Sequence, residues 1–138
     1  MLKHEHAERK AAESQHQRLC ATRFVGAPYR RGAGADSSPS KGFDCSGFVC
    51  YSINAAGVSF PHNPTSSMAS SPSVRVLKPN EAITPGNLML FSKHVGFYDP
   101  GRSSHGDLLS AGDKGVRYGE ASWYGNQYKS LKVMVKCK

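Results

Sequence analysis

An amphipathic segment between Asp44 and Gly57 most constrains how this chain of 138 residues can fold. Asp44 is a good N-cap, and Gly57 suits the C′ position of a helix, which requires a positive φ. Small and apolar residues recur between them at the spacing of one helical face: Cys45, Phe48, Val49, Ser52, Ile53 and Ala56. Because such a face must be buried, the sequence predicts a helix packed against a second layer of the same domain.

The second layer is predicted to be an antiparallel sheet. Short apolar or alternating segments follow the helix and are separated by turn residues, as at 99–107. We expect strands at Val74–Leu77, Leu88–Phe91, Lys93–Tyr98, Leu108–Ala111, Gly115–Tyr118 and Lys129–Lys136. Helices followed by a meander of strands predict an α+β domain with the helices on one face of the sheet.

The region before the central helix is predicted to hold a first helix and a loop. Residues 4–25 lack proline and glycine, and the nearly all-polar residues 1–15 are expected to be a frayed or linker-derived part of that helix. Residues 26–42 are rich in glycine, proline and serine, which predicts a loop. A linker there would leave pieces too small to fold alone, so we treat residues 1–138 as a single domain.

Composition and charge exclude several classes of protein. Hydrophobic residues make up 38% of the chain, too many for a collagen-like or wholly disordered protein. The formal charge of +8 favours anionic partners, but no basic stripe interleaved with aromatics is present, so we expect no nucleic-acid partner. No apolar run could span a membrane, and the polar N-terminus lacks the apolar core of a secretory signal.

The four cysteines do not predict a metal site. Cys20, Cys45, Cys50 and Cys137 form no CxxC pair and have no zinc-finger spacing. We therefore expect no metal and no other cofactor. The sequence leaves open whether Cys20 and Cys137 form a disulfide that ties the two ends together or whether all four are free thiols.

The densest chemical signal is the segment GFDCSGF, residues 42–48. Cys45 is predicted in the first turn of the central helix, where unpaired backbone N–H groups and the helix dipole favour a negative charge. This position is expected to lower the pKa of the thiol and to supply N–H donors to an oxyanion. Gly47 removes a side chain beside the thiol, so that a substrate or a strand can come close.

His94 is the predicted base for this thiol. In the predicted strand, His94, Gly96 and Tyr98 share a face by period two. We expect Gly96 to leave room for the helix on that face, so that Cys45 and His94 meet across one helix–sheet contact. Each residue alone has a structural interpretation, a small buried cysteine and a strand histidine. The pair together favours a Cys–His enzyme.

Four blocks of the sequence, in order, resemble the NlpC family of bacterial cell-wall cysteine peptidases: GFDCSGFV, GVSFPHN, PGNLMLF and HVGFY. The similarity extends from about Gly26 to Tyr118. The resemblance implies a papain-like core in which the nucleophile helix packs on an antiparallel sheet of five or six strands. It also implies hydrolysis of the short peptides of peptidoglycan, often after a D-glutamyl residue joined through its γ-carboxyl.

The resemblance also implies roles for individual residues. Cys45 matches the nucleophile and His94 the general base. Asp44 and Ser46 match substrate-cleft positions, where the carboxylate can hold a free α-amine. Tyr29 matches a tyrosine that contacts the substrate and helps to form the oxyanion site. Asp44 can also be an ordinary N-cap, and Tyr29 a loop aromatic that fills the core.

A third polar residue of the family, often His, usually orients the catalytic imidazole from the strand after HVGFY. Aligning LLSAGDKGV with that strand places Ser110 there, with His105 and Asp107 as alternatives if the turn folds back. A serine can accept the imidazole N–H but cannot stabilise an imidazolium as a carboxylate does. Asn87 stands where an acidic residue is usual, which bears on a structural contact and not on the chemistry.

The sequence thus predicts a peptidoglycan-peptide hydrolase that acts through a thioester on Cys45. We expect it to act in the periplasm or on the wall of a target cell, delivered as an antibacterial effector or a phage-tail lysin. An immunity protein or a secretion or tail carrier would then be its partner. Two alternatives stay open, a papain-like acyltransferase or amidase on another substrate and an inactive wall-binding module. The order of Cys45 before His94 disfavours the first, since related lipid-modifying enzymes usually have the permuted order.

Overall fold

The computed structural model of the protein describes residues 20–58, 60–125 and 127–133. A helix of 11 residues, α1 (Cys45–Ala55), packs on a six-stranded antiparallel sheet. The strands are β1 (Val74–Val76), β2 (Leu88–Leu90), β3 (Val95–Tyr98), β4 (Leu108–Gly112), β5 (Gly115–Gly119) and β6 (Lys129–Val133). The predicted α+β architecture is confirmed. Residues 20–22 are helical, and the rest of the first predicted helix before them lies outside the described residues.

The strand order β1-β6-β2-β3-β4-β5 corrects the predicted meander. Only β2 to β5 follow one another along the sheet, while β6 returns to pair with both β1 and β2. In β6 the fully buried Leu131 lies opposite Val76 on one side and Leu88 on the other. Alternating hydrophobicity identified this segment as a strand, but it carries no information about which neighbours the strand takes.

The strand boundaries agree with the predicted ones to within two residues, except at the C-terminal end of β6, where residues 134–136 of the predicted strand lie outside the described residues. The largest difference affects the site. β3 begins at Val95, so that Lys93 and His94 precede the strand instead of belonging to it. His94 still makes a backbone hydrogen bond to the residue that follows β2, since its carbonyl accepts the Phe91 N–H at 2.8 Å.

α1 begins and ends where the sequence predicts. Asp44 has an extended backbone and caps the helix, accepting the Gly47 N–H with its side chain. Gly57 has a φ of +92°, which favours glycine. The predicted buried face is also confirmed at its centre, where Phe48 and Ile53 have no exposed surface.

The sheet carries apolar residues on both of its faces. On the face towards α1, the ring of Phe97 meets that of Phe48 at 5.8 Å and an interplanar angle of 85°. The opposite face holds a second, smaller cluster, built on four buried residues and three partly buried ones: Met89, Phe91, Leu108, Ala121, Ile83, Tyr98 and Tyr124. Burial from both sides explains why β2 is continuously apolar instead of alternating.

Candidate active site

A short parallel bridge fixes the loop 26–42 against the segment that leads into α1. Tyr29 pairs with Phe43, whose N–H donates to the Pro28 carbonyl at 2.9 Å and whose carbonyl accepts the Arg30 N–H at 3.0 Å. Gly42 permits the approach, because it has a φ of +104° and a Cβ there would lie 2.9 Å from the Arg30 Cβ. The bridge therefore positions the Tyr29 side chain beside the start of the helix.

Tyr29 is half-buried and close enough to Cys45 and Asp44 for their charges to act on it. Burial is the main cause that raises the pKa of the Tyr29 phenol, and the charges of Cys45 and Asp44 raise it further. The phenol is therefore protonated at neutral pH. It can donate a hydrogen bond to an anion that forms next to the thiol.

The Asp44 carboxylate ties the helix to the loop. Its Oδ1 accepts the Gly47 N–H and its Oδ2 accepts the Gly34 N–H, both at 2.8 Å. The Ser46 hydroxyl makes longer contacts, 3.5 Å to Asp44 Oδ1 and 3.4 Å to His62 Nε2. Asp44 thus serves as an N-cap, and because it is only half-buried its oxygens keep lone pairs for a cationic ligand.

Cys45 is half-buried in the first turn of α1. Burial raises the pKa of its thiol, the Asp44 carboxylate raises it further, and the N–H groups of Val95, Ser46 and Cys45 itself act in the opposite direction. The expectation of a lowered pKa was therefore wrong for this resting structure, since desolvation of the thiolate outweighs the N–H donors. The contact with the Val95 N–H brings the sulfur to the first residue of β3.

His94 lies directly before the residue whose N–H reaches that sulfur. It is only 8% exposed, and burial lowers its pKa to about 4. Its Nε2 is buried and has no hydrogen-bond partner. Thiol and imidazole are therefore both neutral near pH 7, unlike a pre-formed ion pair. A neutral imidazole is the form that can accept a proton.

The role that we expected for Gly96, to leave room for the helix beside His94, was wrong. Phe97, not Gly96, faces the helix, as its contact with Phe48 shows. A Cβ at Gly96 would lie 2.8 Å from the Ser110 Cβ, so the glycine makes room for the neighbouring strand β4. His94 shares the parity of Gly96 and lies directly before β3, whose first residue the Cys45 thiol contacts from the N-terminal end of α1.

The three candidates for a third polar residue lie in different places. Ser110 is buried in β4, but Nε2 of His94 has no partner, so Ser110 does not bond that nitrogen. His105 is exposed, and Asp107 accepts the Ala121 N–H at 3.0 Å. Both belong to the connection between β3 and β4, at the opposite end of this hairpin from His94. The structure brings neither of them to the imidazole.

An aromatic residue that the sequence did not single out lies against the imidazole. Tyr124 stacks on His94 with ring centroids 3.8 Å apart and an interplanar angle of 8°. Phe91 contacts Tyr124 at 5.8 Å and lies 6.5 Å from His94. Tyr124 is the last residue of a short 3₁₀ turn, in a segment without helical or strand periodicity. Only the cluster of aromatic residues after β5 could have indicated it.

A cavity of about 360 Å³ lies beside α1, on a side of the helix different from that of the thiol. Gly34, Gly47 and His62 line it. A Cβ at Gly47 would lie 2.7 Å from the Gly34 carbonyl oxygen, so the chain that approaches this glycine is the loop 34–37. Cys50 also lines the cavity, and burial raises its pKa to about 11, which keeps this second thiol protonated.

Comparison with known proteins agrees with this geometry. The sequence model described as the NlpC/P60 family matches residues 26–135. The chain belongs to the NlpC/P60 family. Membership confirms the resemblance read from the four sequence blocks, and it confirms the papain-like α+β fold. In this NlpC/P60 domain, Cys45, His94 and Ser110 all lie within the matched range.

Named relatives of this NlpC/P60 domain are endopeptidases. "Probable endopeptidase p60" of Listeria grayi is 34% identical over 101 residues, which cover 70% of this chain and 17% of that protein. "Bifunctional muramidase/DL-endopeptidase CwlT" of Bacillus subtilis is 30% identical over 108 residues, 72% of this chain and 30% of that protein. "Peptidoglycan endopeptidase RipA" of Mycobacterium tuberculosis is 30% identical over 106 residues, 67% of this chain and 21% of that protein. The chain thus spans less than a third of each relative.

The structure also bears on metal binding, membrane crossing and cysteine pairing in the described part of the NlpC/P60 domain. Its described residues contain no group of three or more His, Cys, Asp or Glu placed to bind a metal ion. Among them, no helix has the length and apolar character that a membrane crossing requires. Cys45 and Cys50 are free thiols. Cys137 lies outside the described residues, so its pairing with Cys20 stays an untested alternative.

Proposed function

We propose that this NlpC/P60 domain is a cysteine peptidase that hydrolyses the peptide stems of peptidoglycan. One observation carries the proposal: the half-buried Cys45 thiol meets the Val95 N–H, directly beside a buried and neutral His94. This arrangement supplies a nucleophile and a proton acceptor at one point. The endopeptidase names of the relatives support the substrate class.

In the proposed reaction, the neutral imidazole of His94 takes the proton of the Cys45 thiol, and the thiolate attacks the amide carbonyl. The tetrahedral oxyanion receives hydrogen bonds from the N–H groups of the first helical turn and from the Tyr29 phenol. Each such donor typically contributes about 10²- to 10³-fold to the rate. The imidazolium then gives its proton to the leaving amine, which leaves a thioester on Cys45.

The second half of the reaction hydrolyses the thioester. His94, neutral again, takes a proton from a water molecule, and the resulting hydroxide attacks the thioester carbonyl. Collapse of this intermediate releases the Cys45 thiolate, which recovers its proton from His94, and the carboxylic acid product, which gives its proton to solvent. General acid–base catalysis of this kind typically contributes about 10²- to 10⁴-fold.

The proposed substrate end is a free α-amine next to a D-glutamyl residue. The half-buried Asp44 carboxylate supports this choice, because it can accept a hydrogen bond from an ammonium group while it caps the helix. Ser46 adjoins it through its hydroxyl. We place the cleaved bond after the D-glutamyl γ-carboxyl. This bond is close enough to the amine of the same peptide stem for Asp44 to hold the amine while the bond is cleaved.

Mass spectrometry of muropeptides tests the proposal. Purified peptidoglycan is incubated with the wild type, with Cys45→Ser and with Cys50→Ser. The two variants make the same atomic change on one helix, but only the Cys45 sulfur contacts the Val95 N–H, one residue after His94. We expect new cleavage products from the wild type and from Cys50→Ser, and none from Cys45→Ser. Identical products from all three proteins, or none from the wild type, contradict the proposal.

An inactive wall-binding module is the competing function, and the unpartnered Nε2 of His94 favours it. The same experiment separates the two, with binding to sedimented peptidoglycan measured alongside cleavage. If the domain is a binding module, all three proteins bind the wall and none of them releases a new product. If it is a peptidase, the products disappear with Cys45→Ser while binding to the wall persists.

We further propose delivery to the wall of a target cell, as an antibacterial effector or a phage-tail lysin with a carrier or immunity protein as partner. Expression in bacteria with and without a periplasmic signal tests this. Toxicity only in the periplasm, lost with Cys45→Ser, is the expected result. Equal toxicity in the cytoplasm contradicts a wall substrate and indicates the papain-like acyltransferase or amidase alternative.

A further inference from the structure

The imidazole of His94 is held by an aromatic contact and not by a polar one. Its ring is nearly parallel to that of Tyr124, at 8°, with the centroids 3.8 Å apart. At the same time Nε2 is buried without a hydrogen-bond partner. No protein group therefore sets the orientation of the ring through a hydrogen bond to Nε2.

In this chain the residue of β4 that would have to bond the imidazole is Ser110. Ser110 points to the same face of the sheet as His94, and its Cβ lies 2.8 Å from where a Cβ of Gly96 would be. The short Ser110 side chain makes no bond to Nε2. The aromatic ring of Tyr124 instead covers the imidazole.

The chain around Tyr124 is built to hold that ring in place. The turn Ala121–Tyr124 is anchored at its first residue, whose N–H donates to the Asp107 carboxylate at 3.0 Å. The Tyr124 hydroxyl reaches Gly112 of β4, where a Cβ would lie 3.4 Å from it, an ordinary van der Waals distance. Phe91 contacts the Tyr124 ring at 5.8 Å. The anchored turn and the Phe91 ring thus hold the Tyr124 ring against the imidazole.

We propose that Tyr124 is the positioning residue of this site, and that its stacked ring sets the plane of the His94 imidazole in place of a hydrogen-bonding side chain on β4. The proposal rests on the peptidase function argued above. Stacking fixes the plane of the ring but gives no acceptor to Nε2. It therefore orients a neutral imidazole as a base without adding a charge that would favour the imidazolium.

Steady-state kinetics on a soluble stem peptide test the proposal, measured near neutral pH, where His94 is neutral. Tyr124→Leu removes the stacked ring and is expected to lower kcat by about 10- to 100-fold, as expected for a misplaced catalytic group, with little change in KM. Tyr124→Phe keeps the ring and is expected to restore kcat close to that of the wild type. This rescue attributes the effect to the ring and not to the hydroxyl.

Tyr128→Leu is the matched control. Tyr128 also packs on Phe91, with ring centroids 5.7 Å apart, but no ring contact joins it to His94 within the described residues. The same change of side chain there is expected to leave kcat near the wild-type value. Thermal unfolding of all variants identifies any loss of kcat that comes from loss of the fold.

An NMR measurement keeps the test independent of the substrate. The stacked Tyr124 ring shifts the His94 ring protons upfield, and we expect this shift in the wild type and in Tyr124→Phe, and its loss in Tyr124→Leu. If no stem peptide is cleaved by the wild type, the peptidase function fails while this signal still reports the stacking. If kcat is lost in Ser110→Ala and unchanged in Tyr124→Leu, or if His94 shows no ring-current shift, the positioning proposal is wrong.

Discussion

The protonation states of two side chains determine how this site can begin to react. Burial raises the pKa of the Cys45 thiol and lowers that of His94 to about 4, so both groups are neutral in the resting site. Proton transfer from thiol to imidazole is uphill in that state. We infer that the substrate must make it favourable, by placing its carbonyl where the thiolate is consumed as it forms.

The resting state of the thiol can be measured by alkylation with iodoacetamide. Because the pKa of Cys45 is raised and His94 carries no charge at neutral pH, the alkylation rate is expected to be low at neutral pH. It should rise about tenfold per pH unit into the alkaline range, since only the thiolate reacts. The site of alkylation is checked by mass spectrometry, with Cys45→Ser as the unlabelled control. A rate plateau that extends down to acidic pH would indicate a thiolate–imidazolium pair and contradict this prediction.

The lowered pKa of His94 also makes the stability of the fold depend on pH. Between its folded value of about 4 and its ordinary value of 6.5, the unfolded chain binds a proton that the folded chain does not. The free energy of unfolding therefore has its full value above pH 6.5 and falls as the pH drops towards 4. One pKa unit corresponds to about 1.4 kcal/mol, so His94 contributes at most roughly 3 kcal/mol to this fall.

Urea unfolding of the wild type and of His94→Gln, each at neutral and at acidic pH, measures this contribution. Glutamine cannot take up the proton, so the variant is expected to lose less stability on acidification than the wild type does. Carboxylates titrate in both proteins and cancel in the comparison. Equal losses in the two proteins would show that His94 is not buried as a neutral group.

At the scale of elements, the sequence predicted segments better than their arrangement. The capping signals at Asp44 and Gly57 defined α1, and short apolar runs defined the strands, because these are local effects of backbone chemistry. The place of β6 between β1 and β2 is a long-range pairing that no local pattern encodes. For the same reason no local pattern places Tyr124 against His94, whereas the motif around Cys45 is local and could be recognised.

The contact between α1 and the loop 34–37 leads to a prediction about Gly47. A Cβ at Gly47 would meet the Ser37 hydroxyl, and would lie 2.6 Å from Asp44 Oδ1 and 2.7 Å from the Gly34 carbonyl oxygen. Gly47→Ala is therefore expected to destabilise the fold by about 1–3 kcal/mol, as overpacked sites do. This is opposite in sign to the gain of about 1 kcal/mol that alanine brings to a helix interior.

Urea unfolding checks the prediction, with Ala55→Gly as the control for helix propensity alone. Ala55 is the exposed last residue of α1, so its replacement changes propensity without filling any space. We expect both variants to be less stable than the wild type. A Gly47→Ala protein more stable than the wild type would mean that the loop can move away from the helix at no cost.

At the scale of the whole molecule, the site is assembled where distant parts of the chain converge. The start of α1 supplies Cys45, the chain before β3 supplies His94, and the turn after β5 supplies Tyr124. The apolar layers on both faces of the sheet hold these parts in place. A motif search finds the first two because each lies in a distinctive local sequence. Tyr124 can be identified only in the folded structure, where the turn after β5 lies against His94.

The net charge of +8 is a property of the whole molecule, and it should act on a polymer more than on a small peptide. A basic protein is attracted to an anionic wall over distances that salt screens, with a Debye length of about 10 Å at 0.1 M. Digestion of intact wall is therefore expected to slow as salt is raised. Cleavage of a short soluble stem peptide should change little, because the proposed contact between its amine and Asp44 is much shorter than the Debye length.

Turbidity of a wall suspension and chromatography of the peptide, measured in parallel from low to high salt, check this prediction. The soluble peptide is the internal control, since the proposed function assigns the cleavage of both substrates to the same Cys45 and His94. Equal slowing of both reactions would place the effect of salt at the site itself. Slowing of the wall reaction alone would show that the basic surface concentrates the enzyme on its substrate, and that the chemistry at Cys45 does not depend on that surface.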